Sequence, residues 1–224
     1  MAELMPYNTV QGLAVAELEV KKSRFISQVT HVTTEEEAIE FRHGIREQIP
    51  DASHYVSAYI LHENNYMHFS DAKEPSGTAG MPVLNVIQHL ELQDVVCVVA
   101  RIFGGTLLGR GGLVRAYSKS AKLAFEKAHI VLMAPCRDIL VSIAYSHYEQ
   151  LMHYLESSGI EVLDTSFADD VTLHIRVLSK EADSVCAKIS DMCNGRAELM
   201  VGEEMFDMVD AAQRQDDAPL GDGE

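Results

Sequence analysis

The sequence predicts a two-domain α+β protein. An α/β domain spans residues 1–133 and a ferredoxin-like βαββαβ domain spans 138–208. Three observations carry this reading. The hydrophobic pattern restarts after "MAPCRD" at 133–138. The six elements that follow run strand, helix, strand, strand, helix, strand in about 70 residues, the ferredoxin-like order. Upstream, "DVVCVVA" at 94–100 is apolar without interruption over a strand's length, as expected of a central strand covered on at least one face. At 224 residues the chain is long enough for each domain to bury its own core.

In the first domain, residues 13–32 read as extended segments around the basic cluster "KKSR" at 21–24. Thr34 and Glu37 form a capping-box signature. Ala38, Phe41, Ile45 and Ile49 then recur at helical spacing until Pro50. "HYVSAYIL" at 54–61 is a strand, and "MHFSDAKEPSGTAGMP" is rich in turn formers, with Pro82 placed to open a short helix through Leu90. After the apolar run come a glycine-rich loop and a helix from about Gly112 to Ala128.

The second domain is read as strand 138–145, helix 146–158, strands 160–167 and 170–178, helix 180–194 and strand 197–206. Ser146 with Glu149 forms a second capping-box signature, and Gly159 and Gly195 sit where the two helices should end. Val171, Leu173, Ile175 and Val177 alternate with polar neighbours, so one face of that strand is buried. Residues 209–224 lack periodicity and read as a flexible acidic tail.

The chain carries 18 basic and 34 acidic residues, a formal net charge of −16. The imbalance is concentrated late: residues 1–133 hold 12 basic and 15 acidic side chains, residues 134–224 hold 6 and 19. So acidic a surface repels polyanions, which excludes nucleic-acid binding by the molecule as a whole and confines any anion site to the first half. No apolar run approaches the roughly 18 to 20 residues of a membrane span, and the N-terminus lacks the basic-then-apolar order of a signal peptide, so a cytoplasmic location is expected. The four cysteines include no Cys-x-x-Cys pair and no zinc spacing; they read as buried thiols, with neither metal nor cofactor indicated.

Against that background "RIFGGTLLGRGGLVRAYSKSAK" at 101–122 holds five glycines, five positive charges and no acid. A strand, a glycine-rich turn and a helix can present backbone N–H groups to an anion. The GGxxxGxGG spacing matches neither the dinucleotide nor the phosphate-loop fingerprint. On a helical wheel Arg115, Lys119 and Lys122 share a stripe opposite Leu113, Tyr117, Ala121 and Ala124. The candidate anion site therefore comprises Arg101, Gly104, Gly105, Gly109, Arg110, Gly111, Gly112, Arg115, Lys119 and Lys122. A solvated charged face is the competing reading. A second loop, "SDAKEPSGTAG" at 70–80, offers Asp71, Glu74, Ser76 and Thr78 as the other wall of a pocket, although turn residues of these types commonly bond their own backbone.

"KKSRFISQV", "ASHYVSAY", "FSDAKEPSGTAGMPVL" and "ARIFGGTLLGRGGLVRAYSKSAK" together resemble the YigZ/IMPACT family, in the same order and at similar intervals. The chain departs from that pattern with Ala72 and Lys73 before Glu74 and with Ile102 after the strand arginine. The resemblance implies the ribosomal-protein-second-domain-like fold for the first domain, as in domain IV of elongation factor G, and that factor's ferredoxin-like domain V for the second. It implies a link to translation or its regulation and supplies no catalytic residue. The expected function is non-catalytic binding of RNA, the ribosome or a translation-related protein by the basic face, with no DNA specificity. Two alternatives stay open: an enzyme or nucleotide binder using a cleft between the 70–80 and glycine loops, and a pure protein-interaction module.

Overall fold

A computed structural model describes residues 5–209, which form ten strands and five α-helices. They fall into two compact units, Tyr7–Leu132 and a second from Met133 onward.

The first unit contains β1 (Tyr7–Gln11), β2 (Ala14–Val20), β3 (Ser23–His31), α1 (Glu35–Gln48), β4 (His54–Leu61), β5 (Tyr66–Ser70), α2 (Gly80–His89), β6 (Val95–Ile102) and α3 (Gly109–Lys127). Its sheet has the order β2-β3-β6-β4-β5, antiparallel throughout. β6 is central, and its apolar run divides between two cores. Val95, Cys97 and Val99 pack with Leu84, Ile87, Tyr117 and Ala121 of α2 and α3, while Val96, Val98 and Ala100 pack with Ala38 and Ile45 of α1. Helices thus cover both faces, which is why the strand tolerates no polar residue between Val95 and Ala100. Burial pushes the Cys97 thiol well above its ordinary value, so it stays protonated.

α1 begins with the expected box: Glu37 N–H donates to Thr34 Oγ1 at 3.2 Å, and Thr34 N–H donates to Glu37 Oε2 at 3.4 Å.

The second unit takes most of β7 (His129–Ile143), then α4 (Tyr148–Ser157), β8 (Glu161–Phe167), β9 (Val171–Leu178), α5 (Ala182–Met192) and β10 (Glu198–Val209). Within this unit β7 pairs with β9 and with β10, and β9 pairs with β8. Of the four strands in the βαββαβ repeat, the first and third are central, the ferredoxin-like arrangement. Leu151 and Leu155 of α4 and Val185 and Ile189 of α5 join Ile139, Val141, Leu173 and Ile175 in one core, so both helices lie on the same sheet face. Gly159 and Gly195, at φ +66° and +72°, end the helices as expected.

Several local expectations change. The proposed junction at 133–138 is strand, because β7 runs unbroken through it with Pro135 inside. β1 was not foreseen, and β5 occupies part of a stretch read as turns. Pro82 falls two residues inside α2, not at its start. The Ser146–Glu149 box does not form: Tyr145–His147 make a single 3-10 turn, and α4 starts only at Tyr148 without a side-chain cap. β10 continues to Val209, and the rest of the expected tail lies outside the described residues. Among the described residues no helix is long and apolar enough to cross a membrane.

Candidate nucleic-acid interface

The glycine loop sits at the end of the first sheet where β6 finishes and β3 begins. Arg24 and Ile102 are direct partners there, so the β2–β3 turn and the residues after β6 leave the sheet together. Lys21 and Lys22 form that turn, both left-handed at φ +47° and +65°, the geometry of a two-residue hairpin. Gly104 lies against it, donating its N–H to Ser23 Oγ at 3.1 Å. A Cβ on Gly104 would stand 2.0 Å from the carbonyl carbon of Lys22, so only glycine fits.

α3 starts three residues earlier than expected. Arg110, Gly111 and Gly112 therefore belong to its first turn, and Gly105 and Gly109 supply the positive φ that precedes and opens it. Leu108 offers no side-chain cap. Arg110, Arg115, Lys119 and Lys122 are exposed, while Leu113, Tyr117, Ala121 and Ala124 are buried, as the wheel required. Lys122 lies 3.9 Å from Glu126, an exposed pair one turn away. Among the described residues Arg110, Arg115 and Lys119 have no ion pair.

Arg101 does not belong to this surface. It is 5% exposed, and its Nη1 donates to Glu74 Oε1 at 2.6 Å. The Tyr117 hydroxyl donates to the same oxygen at 2.7 Å, and burial with the adjacent carboxylate pushes that phenol far above its ordinary value. The guanidinium faces the rings of Phe25 and Phe103 at 5.4 and 5.6 Å. This buried triad fastens the 70–80 loop to β6 and α3. The burial of Arg101 has a non-local cause: the partner carboxylate lies 27 residues upstream.

The 70–80 loop is built around Asp71. Its carboxylate accepts the N–H groups of Gly77 at 2.8 Å, Ala79 at 3.0 Å and Gly80 at 2.8 Å, capping α2 from outside the helix. Burial alone would raise the Asp71 pKa, but those three donors outweigh it and hold the group below the usual carboxylate range. Thr78 is buried and donates to the Pro75 carbonyl at 2.6 Å; Ser76 is exposed. The two loops do meet, through Arg110 Nη2 donating to the Ser76 carbonyl at 2.9 Å. Their meeting engages both carboxylates, Asp71 with backbone and Glu74 with Arg101, so neither stands ready as a general base. Among the described residues no His/Cys/Asp/Glu group is arranged to hold a metal.

The sequence reading did not assign Lys21, Lys22 or Lys73 to this end of the domain. "KKSR" carried a visible signal, but only the hairpin register brings it to the glycine loop. Arg24 of that cluster is neutralised by Glu17, at 2.6 and 3.1 Å.

The molecule is therefore a two-domain α+β protein whose first domain gathers exposed cations around one end of its sheet. Residues 21–125 match the Impact N-terminal domain, and residues 141–196 match a domain of unknown function, DUF1949. The IMPACT family member YvyE of Bacillus subtilis is 34% identical over 89% of this chain and 93% of its own. An IMPACT family member of Haemophilus influenzae is 30% identical over 88% and 97%, and YigZ of Escherichia coli is 29% identical over 83% and 93%. A crystal structure of a hypothetical protein superposes with a TM-score of 0.58 at 27% identity, covering 88% of this chain and 98% of that one. The chain belongs to the IMPACT family.

Proposed function

We propose that the protein binds structured RNA of the translation machinery, in the cytoplasm, through the basic face formed by Arg110, Arg115 and Lys119 with the lysine turn at 21–22. The observation that carries this reading is a run of exposed, unpaired cations on α3, free of any acid from Arg101 to Lys122, in a chain of net charge −16. Phosphates are attracted there and repelled by the acidic second domain, which orients an encounter. The role is binding rather than catalysis, since the nearby carboxylates are tied into the fold.

Ribosomes or ribosomal RNA titrated at several salt concentrations test this. Charge reversal at Arg115 and Lys119 is expected to weaken binding at least about tenfold and to lower the salt slope by about two. Unchanged affinity, in a variant whose melting temperature matches the parent, would remove the proposal.

A further inference from the structure

A concave pocket of about 440 Å³ opens between the C-terminal half of α1, the start of β4 and the residues that follow β5. Arg42, His43 and Arg46 line it from α1, His54 and Tyr55 from β4, and Lys73 from the loop. No carboxylate lines it, in a chain where acids outnumber bases nearly two to one. Among the described residues Arg42, Arg46 and Lys73 form no ion pair. Three like charges gathered round one concavity repel each other, and an anion seated between them removes that cost. Glu74 lies 3.8 Å from His54 Nε2 and is already committed to Arg101.

The backbone gives an independent indication. Ala72 and Lys73 are consecutive left-handed residues at φ +46° and +70°, a conformation disfavoured for side chains with a Cβ. His54 Nδ1 holds this segment through the Ala72 carbonyl at 2.9 Å. The loop is thus held in strain at the point that puts Lys73 on the rim, as at sites where strain serves a ligand. Tyr55 adds a flat wall. Its hydroxyl donates to the Ile49 carbonyl at 2.6 Å, and the Arg46 guanidinium lies 5.8 Å from its ring centre. The volume falls in the small-molecule range.

We infer that this pocket is a binding site for a phosphomonoester of nucleotide size, with Arg42, Arg46 and Lys73 on the phosphate and Tyr55 beside the ring. The site is distinct from the α3 face, and the inference does not rest on the RNA reading. The phosphate can come from a free nucleotide or from the 5′ end of an RNA strand.

Calorimetric titration of the full chain with adenosine monophosphate tests it, alongside a short RNA with and without a 5′ phosphate. Saturable binding of the monophosphate or of the phosphorylated RNA is expected, weakened at least about tenfold by Arg46→Gln with Lys73→Gln. Preference for the phosphorylated RNA marks the strand end as the source; binding of the monophosphate without that preference marks the free nucleotide. Lys73→Gly should raise the melting temperature, by relaxing the loop, while weakening the same binding. Arg115→Glu with Lys119→Glu should leave monophosphate affinity unchanged, whether or not it alters RNA binding. Two results overturn the inference: no saturable binding of either phosphorylated probe, or equal binding by the parent and the pocket variant.

Discussion

The two domains handle their positive charges differently. In the second, Arg176 on β9 makes a two-pronged contact with Asp138 on β7, at 2.7 and 3.0 Å, and also reaches Asp207 on β10. His174 lies 3.0 Å from the same Asp138, whose carboxyl is held below its usual range by hydrogen bonds from Arg176 and His174. These residues occupy the sheet face that α4 and α5 do not cover. In the first domain helices bury both sheet faces, and the one fully buried cation, Arg101, is matched by Glu74. Several of the remaining basic residues gather at the glycine-loop end of the sheet, and among the described residues Arg110, Arg115 and Lys119 have no ion pair. The difference teaches where to look for a polyanion: at cations the fold does not consume.

The sharpest way to break that comparison is to remove Glu74. Glu74→Ala leaves a buried guanidinium uncompensated and should cost about 3 to 5 kcal/mol in denaturant unfolding. A loss below about 1 kcal/mol would mean that water already reaches Arg101. Gly104→Ala comes next. Its methyl meets the hairpin backbone, so a loss of about 1 to 3 kcal/mol is expected, with exchange protection lowered around Ser23.

Asp71→Ala should cost about 1 kcal/mol, the scale of a lost helix cap, and its stabilisation is pH-dependent. The folded carboxyl titrates below its unfolded value. Its contribution is therefore complete above the ordinary aspartate pKa of about 3.9 and disappears as pH falls through the lower folded value. Stability of parent and variant should converge as pH falls below the ordinary aspartate value; a gap that does not narrow in acid contradicts the capping role. Asp138→Ala in the second domain should have the smallest effect, at most about 1 kcal/mol, because that pair is partly exposed and screened. A larger loss than for Glu74→Ala would invert the comparison.

Much of this architecture was legible in the sequence because its signals are local. The β6 run, the Thr34–Glu37 box, the alternation in β9 and the helix-ending glycines each depend on neighbours within a few residues. What was missed depends on distant partners. Arg101 looks like a surface cation until Glu74 is brought to it. Arg42 and Arg46 sit among Glu40 and Glu47 on α1 and read as an ordinary solvated face, because the pocket they line is completed by β4 and Lys73. The sequence pattern shows a strand only over 138–145, with "MAPCRD" read as a junction, yet Pro135 sits within a 15-residue strand that begins at His129. β1 and β5 are short and take their definition from pairing rather than from pattern.

β6 is apolar on both of its faces. Its two faces are so alike, Val-Cys-Val against Val-Val-Ala, that sliding the strand by a single residue would still bury apolar side chains on each side. Hydrophobicity alone cannot tell the right alignment from the wrong one. The polar groups at either end can. Asp94 accepts the Tyr7 hydroxyl and, at 2.6 Å, the His62 amide; Arg101 meets Glu74. Asp94 and Arg101 thereby act as two pins through a symmetric rod, and a slipped strand would strand both charges at once.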